Sequence, residues 1–270
     1  MIPKTIHYCW FGGNPKSELI QKCMDSWRKL CPDYEIKECN ESNYSIEKAP
    51  LYVRQAYEAK KWAFVTDYVR LQIIYENGGI YLDTDVELLK RPDELLKDAA
   101  YFGFQHDLDI NTGIGFGAEK GSPILLELMR QYQDIPFLLP NGRMDSLPCS
   151  NRNTEVFVQH GLIRNDREQT LLGGIHIYPS EYFSPLDYTS GKLLVTKNSY
   201  SIHHFVASWY SKGQILIIKK KREYIQKYGM EEGLRRLARW KKRNSPRLAV
   251  LCHGWKGAFD RLLERVKNHV

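Results

Sequence analysis

Apolar positions recur along the chain at two spacings, and the switches between them predict an alternation of strands and helices. A strand near 4–10 precedes a helix over about 16–30 and a strand near 34–37. Helices follow across 50–76, where Ala63, Leu71, Ile74 and Tyr75 repeat at roughly helical spacing. Gly78-Gly79 breaks that pattern, and Ile80, Tyr81 and Leu82 then read as a short apolar strand. Arg91-Pro92 opens a short helix within 90–97, and strands are expected at 101–105 and 113–118. A helix over 123–133 leads into a loop-rich stretch, 134–155, marked by Pro136, Pro140, Asn141-Gly142 and Pro148. A helix end at 156–161, a strand at 175–178 and hairpin-like strands over 192–206 complete the pattern, which is that of an α/β protein.

The candidate chemistry sits at the break between the helix and the strand at its centre. Asp83 and Asp85 follow the strand 80–82, at the edge where α/β sheets place ligands. Residues i and i+2 of a strand share a face, so the two carboxylates would turn together with Thr84 pointing away. Paired carboxylate oxygens with open positions suit Mg²⁺ or Mn²⁺. Such a cation takes further oxygens from a diphosphate and neutralises the charge that grows on a departing nucleotide. Upstream, Asp67 and Arg70 stand three residues apart on one helix face.

Charge divides the chain. Residues 212–270 hold 17 Lys and Arg against 5 Asp and Glu, a net +12, while the first 211 carry −5. Lys219-Lys220-Lys221-Arg222 precedes a second basic run from Arg235 to Arg243, and after Ser245-Pro246 the residues Leu248, Leu251, Trp255, Phe259, Leu262 and Val266 recur at spacings of three and four. An amphipathic basic helix of this kind suits the surface of an anionic membrane; the alternative is a helical pair with a solvated basic face. No base-reading module accompanies the charge, so nucleic acid is not expected as a partner. Six cysteines show no Cys-x-x-Cys spacing, and the chain opens on Met1-Ile2-Pro3-Lys4 without a charged-then-apolar leader, which leads to the expectation of reduced thiols in the cytoplasm. The division expected is 1–211 as one domain and 212–270 as a basic helical extension. The 17 Tyr suit carbohydrate contact, although most will simply fill half-buried positions.

Several blocks together resemble family 32 of the glycosyltransferases, the Asp-x-Asp group that includes yeast α-mannosyltransferases and bacterial capsule enzymes. The opening Ile2 to Trp10, the block Thr66-Asp67-Tyr68-Val69-Arg70 with Gly78 to Asp85, Asn111 within INTGIGFGAEKGSPIL, YPSEYFSP at 178–185, and Ile202-His203-His204-Phe205 through Ser208-Trp209 carry the resemblance, over roughly residues 1–210. The chain departs from it at 148–157, where PCSNRNTEVF stands in place of a Thr-Gly-Pro turn.

The resemblance implies a GT-A type fold, a Rossmann-like domain that binds a nucleotide-sugar, and transfer with retention of configuration. It makes Asp85 a direct ligand of Mn²⁺ or Mg²⁺ and gives Asp83 the ribose or a metal-bound water. Asp67 and Arg70 would orient the sugar and nucleotide, Ile6, His7 and Trp10 would line the base pocket, and Asn111 would lie beside the reacting carbon. From the last block, His204 is the preferred third metal ligand with His203 as its rival, and Trp209 beside Ser208 would close over the diphosphate. The expected activity is hexosyl transfer, first from UDP-galactose, with other UDP-sugars and then GDP-mannose behind it. The acceptor would be a lipid-linked glycan in capsule, exopolysaccharide or O-antigen synthesis, with the enzyme peripheral on the inner face of the cell membrane. Competing readings are a protein-glycosylating effector, a haloacid-dehalogenase-like phosphatase with Asp83 as nucleophile and Asp85 as general acid, and a nucleotide-sugar-binding module without turnover.

Overall fold

The computed structural model describes residues 1–206, 211–248 and 250–252. Ser208 and Trp209, and the amphipathic run from Trp255 to Val266, lie outside the described residues. Contacts divide the chain into two compact units, 1–186 with 194–205, and 187–193 with 206–270. The first unit therefore ends at 205 rather than 211, and the turn 187–193 belongs with the basic extension. The reason is local: Arg222 and Gln226 donate hydrogen bonds to the carbonyls of Tyr188 and Ser190.

In the first unit, strands β1 (Thr5–Cys9), β2 (Glu35–Cys39), β3 (Gly79–Tyr81), β5 (Ala100–Gly103), β6 (Phe116–Ala118), β7 (Gln169–Leu171) and β8 (Ile175–Tyr178) form one sheet in the order β2-β1-β3-β6-β5-β8-β7. β2, β1 and β3 run parallel, as do β5 and β8, while β6 is antiparallel to both its neighbours. A second sheet has two strands, β4 (Val86–Leu88) and β9 (Ser201–His203), paired antiparallel with Val86 opposite His203. The three-residue strands β4 and β7 escape a reading by periodicity.

Both faces of the large sheet are covered. On one side lies α1 (Glu18–Leu30), started by Ser17, whose hydroxyl accepts from the Ile20 amide, and buried through Ile20, Cys23, Met24 and Trp27 at helical spacing. On the other side lie α2 (Leu51–Glu58), α3 (Trp62–Asn77), α4 (Pro123–Arg130) and α5 (Cys149–Gln159), which share one apolar cluster with Tyr81, Phe102 and Phe116 of the sheet. α6 (Ser180–Phe183) is a single turn whose Phe183 packs in the cluster on the α1 side. The stretch expected as loop to residue 155 turns helical at Cys149, and 192–200 is irregular, with β9 pairing to β4 instead of forming a hairpin. The short helix expected within 90–97 is a 3-10 turn over Asp93–Lys97.

α3 is the element that positions the site. It is buried nearly all round, so its polar residues Asp67 and Arg70 are held inside the protein. It ends at Gly78, whose φ of 69° an L side chain rarely adopts, and a Cβ on Gly79 would stand 2.7 Å from the Thr5 carbonyl of β1. The Gly-Gly pair thus permits the tight return from α3 into the sheet. In the second unit, α7 (Lys212–Tyr228) and α8 (Met230–Arg243) form a hairpin turned at Gly229. All six cysteines are free.

Candidate active site

Asp83 and Asp85 do not lie on a strand. β3 ends at Tyr81, Leu82 adds one more bond to the His7 carbonyl, and the chain then turns so that the Val86 amide reaches the Asp83 carbonyl at 3.0 Å. The Asp-x-Asp is therefore the crossover between the large sheet and the small one. A turn, rather than strand alternation, brings the carboxylates to one side.

The small sheet supplies the third group. With Val86 opposite His203, the imidazole Nε2 lies 3.1 Å from Asp85 Oδ1, and Asp83, Asp85 and His203 each offer a ligand atom within 4.8 Å of the others. The preference for His204 is corrected: alternation along the strand end turns it the other way, onto Glu87 at 2.9 Å, while its amide donates to the Asp85 carbonyl. His203 Nδ1 is buried and finds no hydrogen-bond partner among the described residues.

Beneath this cluster lies a buried charge network. Arg70 pairs with Asp67 on its own helix, stands 3.5 Å from Asp83 Oδ2, and donates through Nε to the Thr66 carbonyl. Tyr81 donates to Asp83 Oδ1 at 2.8 Å, and the Arg70 guanidinium lies over the Tyr81 ring at 5.4 Å from its centroid. Burial pushes the carboxyl groups of both Asp83 and Asp67 upward, with Arg70 opposing it. For Arg70, burial pulls downward, but Asp83 and Asp67 more than offset it and keep the guanidinium charged. For His203, burial likewise pulls downward and the Asp85 carboxylate overrides it, leaving the imidazole raised.

Asp67 and Asp83 thus share one permanent cation, Arg70, while Asp85 faces the His203 imidazole. That surplus of negative charge in a buried place, with one imidazole and two aspartates converging, fits a hard divalent cation that keeps open positions. Arg70 Nη1 has no hydrogen-bond partner among the described residues, which leaves a buried donor for an incoming oxygen.

Asn111 joins the same site through a glycine. Its Oδ1 accepts from the Gly113 amide at 2.7 Å and its Nδ2 donates to Gln105. A Cβ on Gly113 would stand 2.6 Å from Asp83 Oδ2 and 3.0 Å from both Arg70 Nη1 and Asn111 Oδ1. Cys149, at the start of α5, places its sulfur 3.8 Å from Asn111 Oδ1.

The base-pocket expectation is corrected in part. Ile6 is fully enclosed in the apolar cluster on the α1 side, and His7 is buried against the Gly78 carbonyl, because a strand paired on both sides and covered on both faces has no open face. Trp10, just past the end of β1, is half-buried and donates to the Asn14 carbonyl, so it alone of the three stands at the sheet edge. His203, Tyr81, Gln105, Gly113 and Cys149 were not singled out by their sequence positions except for His203 as a rival. The Asn-Thr-Gly run at 111–113 is the signal that would have pointed to Gly113.

Residues 17–102 match the sequence model described as the glycosyltransferase sugar-binding region containing a DXD motif. Over that region the chain is similar to the DXD-containing glycosyltransferases. Its sheet is mixed α/β with the Asp-x-Asp leaving β3, and the expected mainly helical basic region follows as α7 and α8. Among curated proteins, inositol phosphoceramide mannosyltransferase 3 of Schizosaccharomyces pombe is 31% identical over 143 residues, which are 50% of this chain and 38% of that protein. The chain thus spans well under half of this relative's length. Of solved structures, the PaToxG glycosyltransferase superposes with a TM-score of 0.45 at 20% identity, covering 58% of this chain and 69% of that one. The glycosyltransferase involved in glycosylation of the PBCV-1 major capsid gives 0.41 at 12%, covering 74% and 94%. The galactosyltransferase LgtC gives 0.34 at 12%, covering 66% and 74%. No helix among the described residues is long and apolar enough to cross a membrane.

Proposed function

We propose that the protein is a retaining glycosyltransferase that moves a hexose from a nucleotide-sugar to a glycan acceptor. The observation that carries this reading is the convergence of Asp83, Asp85 and His203 beside the buried Asp67–Arg70 pair. Asp83, Asp85 and His203 would hold Mn²⁺ or Mg²⁺, which when bound supplies Lewis-acid neutralisation of the leaving diphosphate. Arg70 would offer Nη1, which makes no hydrogen bond among the described residues although Asp83 Oδ2 stands 3.5 Å away, to a donor oxygen while Asp67 fixes the guanidinium in place. Asn111, held by Gln105 and the Gly113 amide, presents a rigid amide to the sugar. Asp67 and Asp83 are both engaged by Arg70, which suits them to binding rather than to attack on the anomeric carbon. Substitution on the face the leaving group vacates, with the diphosphate taking the acceptor's proton, agrees with that arrangement.

UDP-galactose heads the candidate donors, followed by UDP-linked glucose or N-acetylhexosamine. The curated relative is a mannosyltransferase named for a lipid, inositol phosphoceramide, and this favours a second donor reading, mannose, as well as a lipid-borne acceptor. In this reading the basic α7–α8 extension rests on an anionic membrane and brings the site to acceptors of capsule, exopolysaccharide or O-antigen synthesis. The test is release of nucleotide from UDP-galactose, UDP-glucose, UDP-N-acetylhexosamines and GDP-mannose with Mn²⁺ or Mg²⁺, comparing wild type with Asp85→Ala. Metal-dependent release from one donor, lost in the variant, is expected. Silence across the panel, with no thermal shift on adding nucleotide, would overturn the reading.

A further inference from the structure

Within the first unit, three apolar side chains stand exposed on the hairpin that leads into α5: Leu138, Met144 and Leu147, at 40%, 44% and 44% exposure. Register puts the first two together. Leu138 and Met144 lie opposite each other in an antiparallel bridge, flanked by hydrogen bonds from the Leu139 amide to the Arg143 carbonyl and from the Asp145 amide to the Phe137 carbonyl. Residues paired in this way turn their side chains to one face at close range. Their neighbours Phe137 and Asp145 turn inward: Phe137 is fully buried in the core, and the Asp145 carboxylate pairs with Arg152 of α5. The hairpin is fastened to the unit, because the side-chain carbonyl of Gln55 on α2 accepts from the amides of Phe137 and Leu138 at 2.9 and 3.0 Å. Asp145 Oδ1 accepts from the Leu147 amide, and two residues later the Cys149 sulfur stands 3.8 Å from Asn111 Oδ1. Two residues of chain span at most about 7 Å, so the backbone of Leu147 adjoins that of a residue in the site.

We propose that Leu138, Met144 and Leu147 bind the alkyl part of an amphiphilic acceptor whose reacting hydroxyl lies at Asn111. The inference rests on the transferase reading above and adds where the apolar portion of that acceptor is held. Continuity with the site selects the occupant: a ligand lying along this strip ends at Cys149 and Asn111, where the sugar is presented. Charge agrees. Between 137 and 147 the only charged residues are Arg143 and Asp145, and Asp145 is turned inward onto Arg152, so the outer face offers an alkyl chain no carboxylate to strip of water. Size excludes the obvious rival, a second copy of this chain. A stable dimer buries about 800 Å² on each partner through roughly 20–30 residues, which three side chains do not supply, whereas a single alkyl chain needs no more than such a strip. Because the hairpin is already ordered, binding costs little further conformational entropy.

The experiment uses the full chain with UDP and Mn²⁺, its methionines labelled at the methyl carbon for NMR, and two probes: methyl glucoside, and octyl glucoside below its micelle concentration. The Met144 resonance, identified by its loss in Met144→Leu, should move with octyl glucoside and stay with methyl glucoside. In transfer from the donor selected by the nucleotide-release panel, octyl glycosides of galactose, glucose and mannose should show KM values about tenfold or more below those of their methyl counterparts. Leu138→Ser/Leu147→Ser should close that gap; both values come from one preparation, so a loss of folded protein cannot produce the change. A Met144 resonance that ignores octyl glucoside or follows both probes alike, or equal KM values in wild type, would overturn the inference and leave the transferase reading standing. Where none of the glycosides is accepted, the Met144 resonance alone decides. Absence of nucleotide release from every donor would overturn the transferase reading and this inference with it. A dimer in wild type that becomes a monomer in the double variant would overturn the inference and reassign the strip to self-association.

Discussion

Gly113→Ala should separate activity from folding. The added Cβ would stand 2.6 Å from Asp83 Oδ2, about 0.8 Å inside the 3.4 Å at which ordinary contact begins, and 3.0 Å from Arg70 Nη1 and Asn111 Oδ1. All three neighbours are the ends of side chains, and Gly113 is not among the glycines with a left-handed φ, so the backbone can keep its path. Displacing those ends costs about 1 kcal/mol or less, and a comparable gain comes from the stiffer unfolded chain, so the melting temperature should move by only about 2 °C. The carboxylate, guanidinium and amide that move are the groups assigned to metal and donor. A displacement approaching 1 Å in a positioned group costs on the order of 10²-fold in rate, so turnover should fall by about 10- to 100-fold. Nucleotide release under saturating donor and Mn²⁺, read beside a thermal melt, measures both. Turnover within about twofold of wild type would refute the placement of Gly113 against the reacting groups, and a collapse of the melt would refute the claim that only side-chain ends must give.

His203→Ala should raise the Mn²⁺ concentration for half-maximal activity by about 10- to 100-fold, whereas His204→Ala should change it by less than about threefold; the reverse order would reinstate His204 as the ligand. His7, buried against the Gly78 carbonyl, is pulled down by burial to about 4 from an ordinary value of 6.5. The neutral ring's contribution is complete above pH 6.5 and is lost as pH falls towards 4, because the unfolded chain takes up a proton that the folded one refuses. The loss should reach about 3 kcal/mol by pH 4, and urea unfolding at pH 7 and 5 should show a smaller drop for His7→Gln than for wild type; equal drops would remove His7 from the acid response. In the second unit, a Cβ on Gly233 would stand 2.8 Å from backbone atoms of Ile225 and Tyr224, which cannot swing aside. Gly233→Ala should therefore loosen α7 against α8 by about 1–3 kcal/mol, seen as faster hydrogen exchange in both helices, and unchanged protection would refute the close approach.

Much of this site was legible before any coordinates. The Gly-Gly break and the apolar residues around it announce α3 and β3, and they place Asp67, Arg70, Asp83 and Asp85 near one another because a buried helix and the strand it feeds must return side by side. What was not legible depends on pairing across long separations. Whether His203 or His204 faces Asp85 is decided by the register of β9 on β4, two strands of three residues whose alternation is too short to declare a face. The first part of α5 was read as loop because Pro136, Pro140, Asn141-Gly142 and Pro148 mark the stretch 134–155. It is helical because Phe157 and Val156 are buried and Thr154 Oγ1 accepts from the Ile110 amide, contacts that only the tertiary structure supplies. Ile6 and His7 were misjudged for a related reason: which end of β1 meets solvent follows from what covers the sheet, not from the strand itself.

The small sheet has a further consequence for biosynthesis. β4 lies midway along the sequence of the first unit and β9 at its end, so Asp85 waits for His203 until nearly the whole unit has left the ribosome. A growing chain can bury α3 and complete β1 and β3 well before that, but it cannot close the ring of ligands around a cation. Until then the buried carboxylates repel one another around Arg70 alone. Metal and donor would capture the finished chain by pinning the β4–β9 junction across a very long intervening loop, a loop whose closure grows only slowly more costly with length. Release of a competent enzyme would thus be timed by the last strand of the unit rather than by its core.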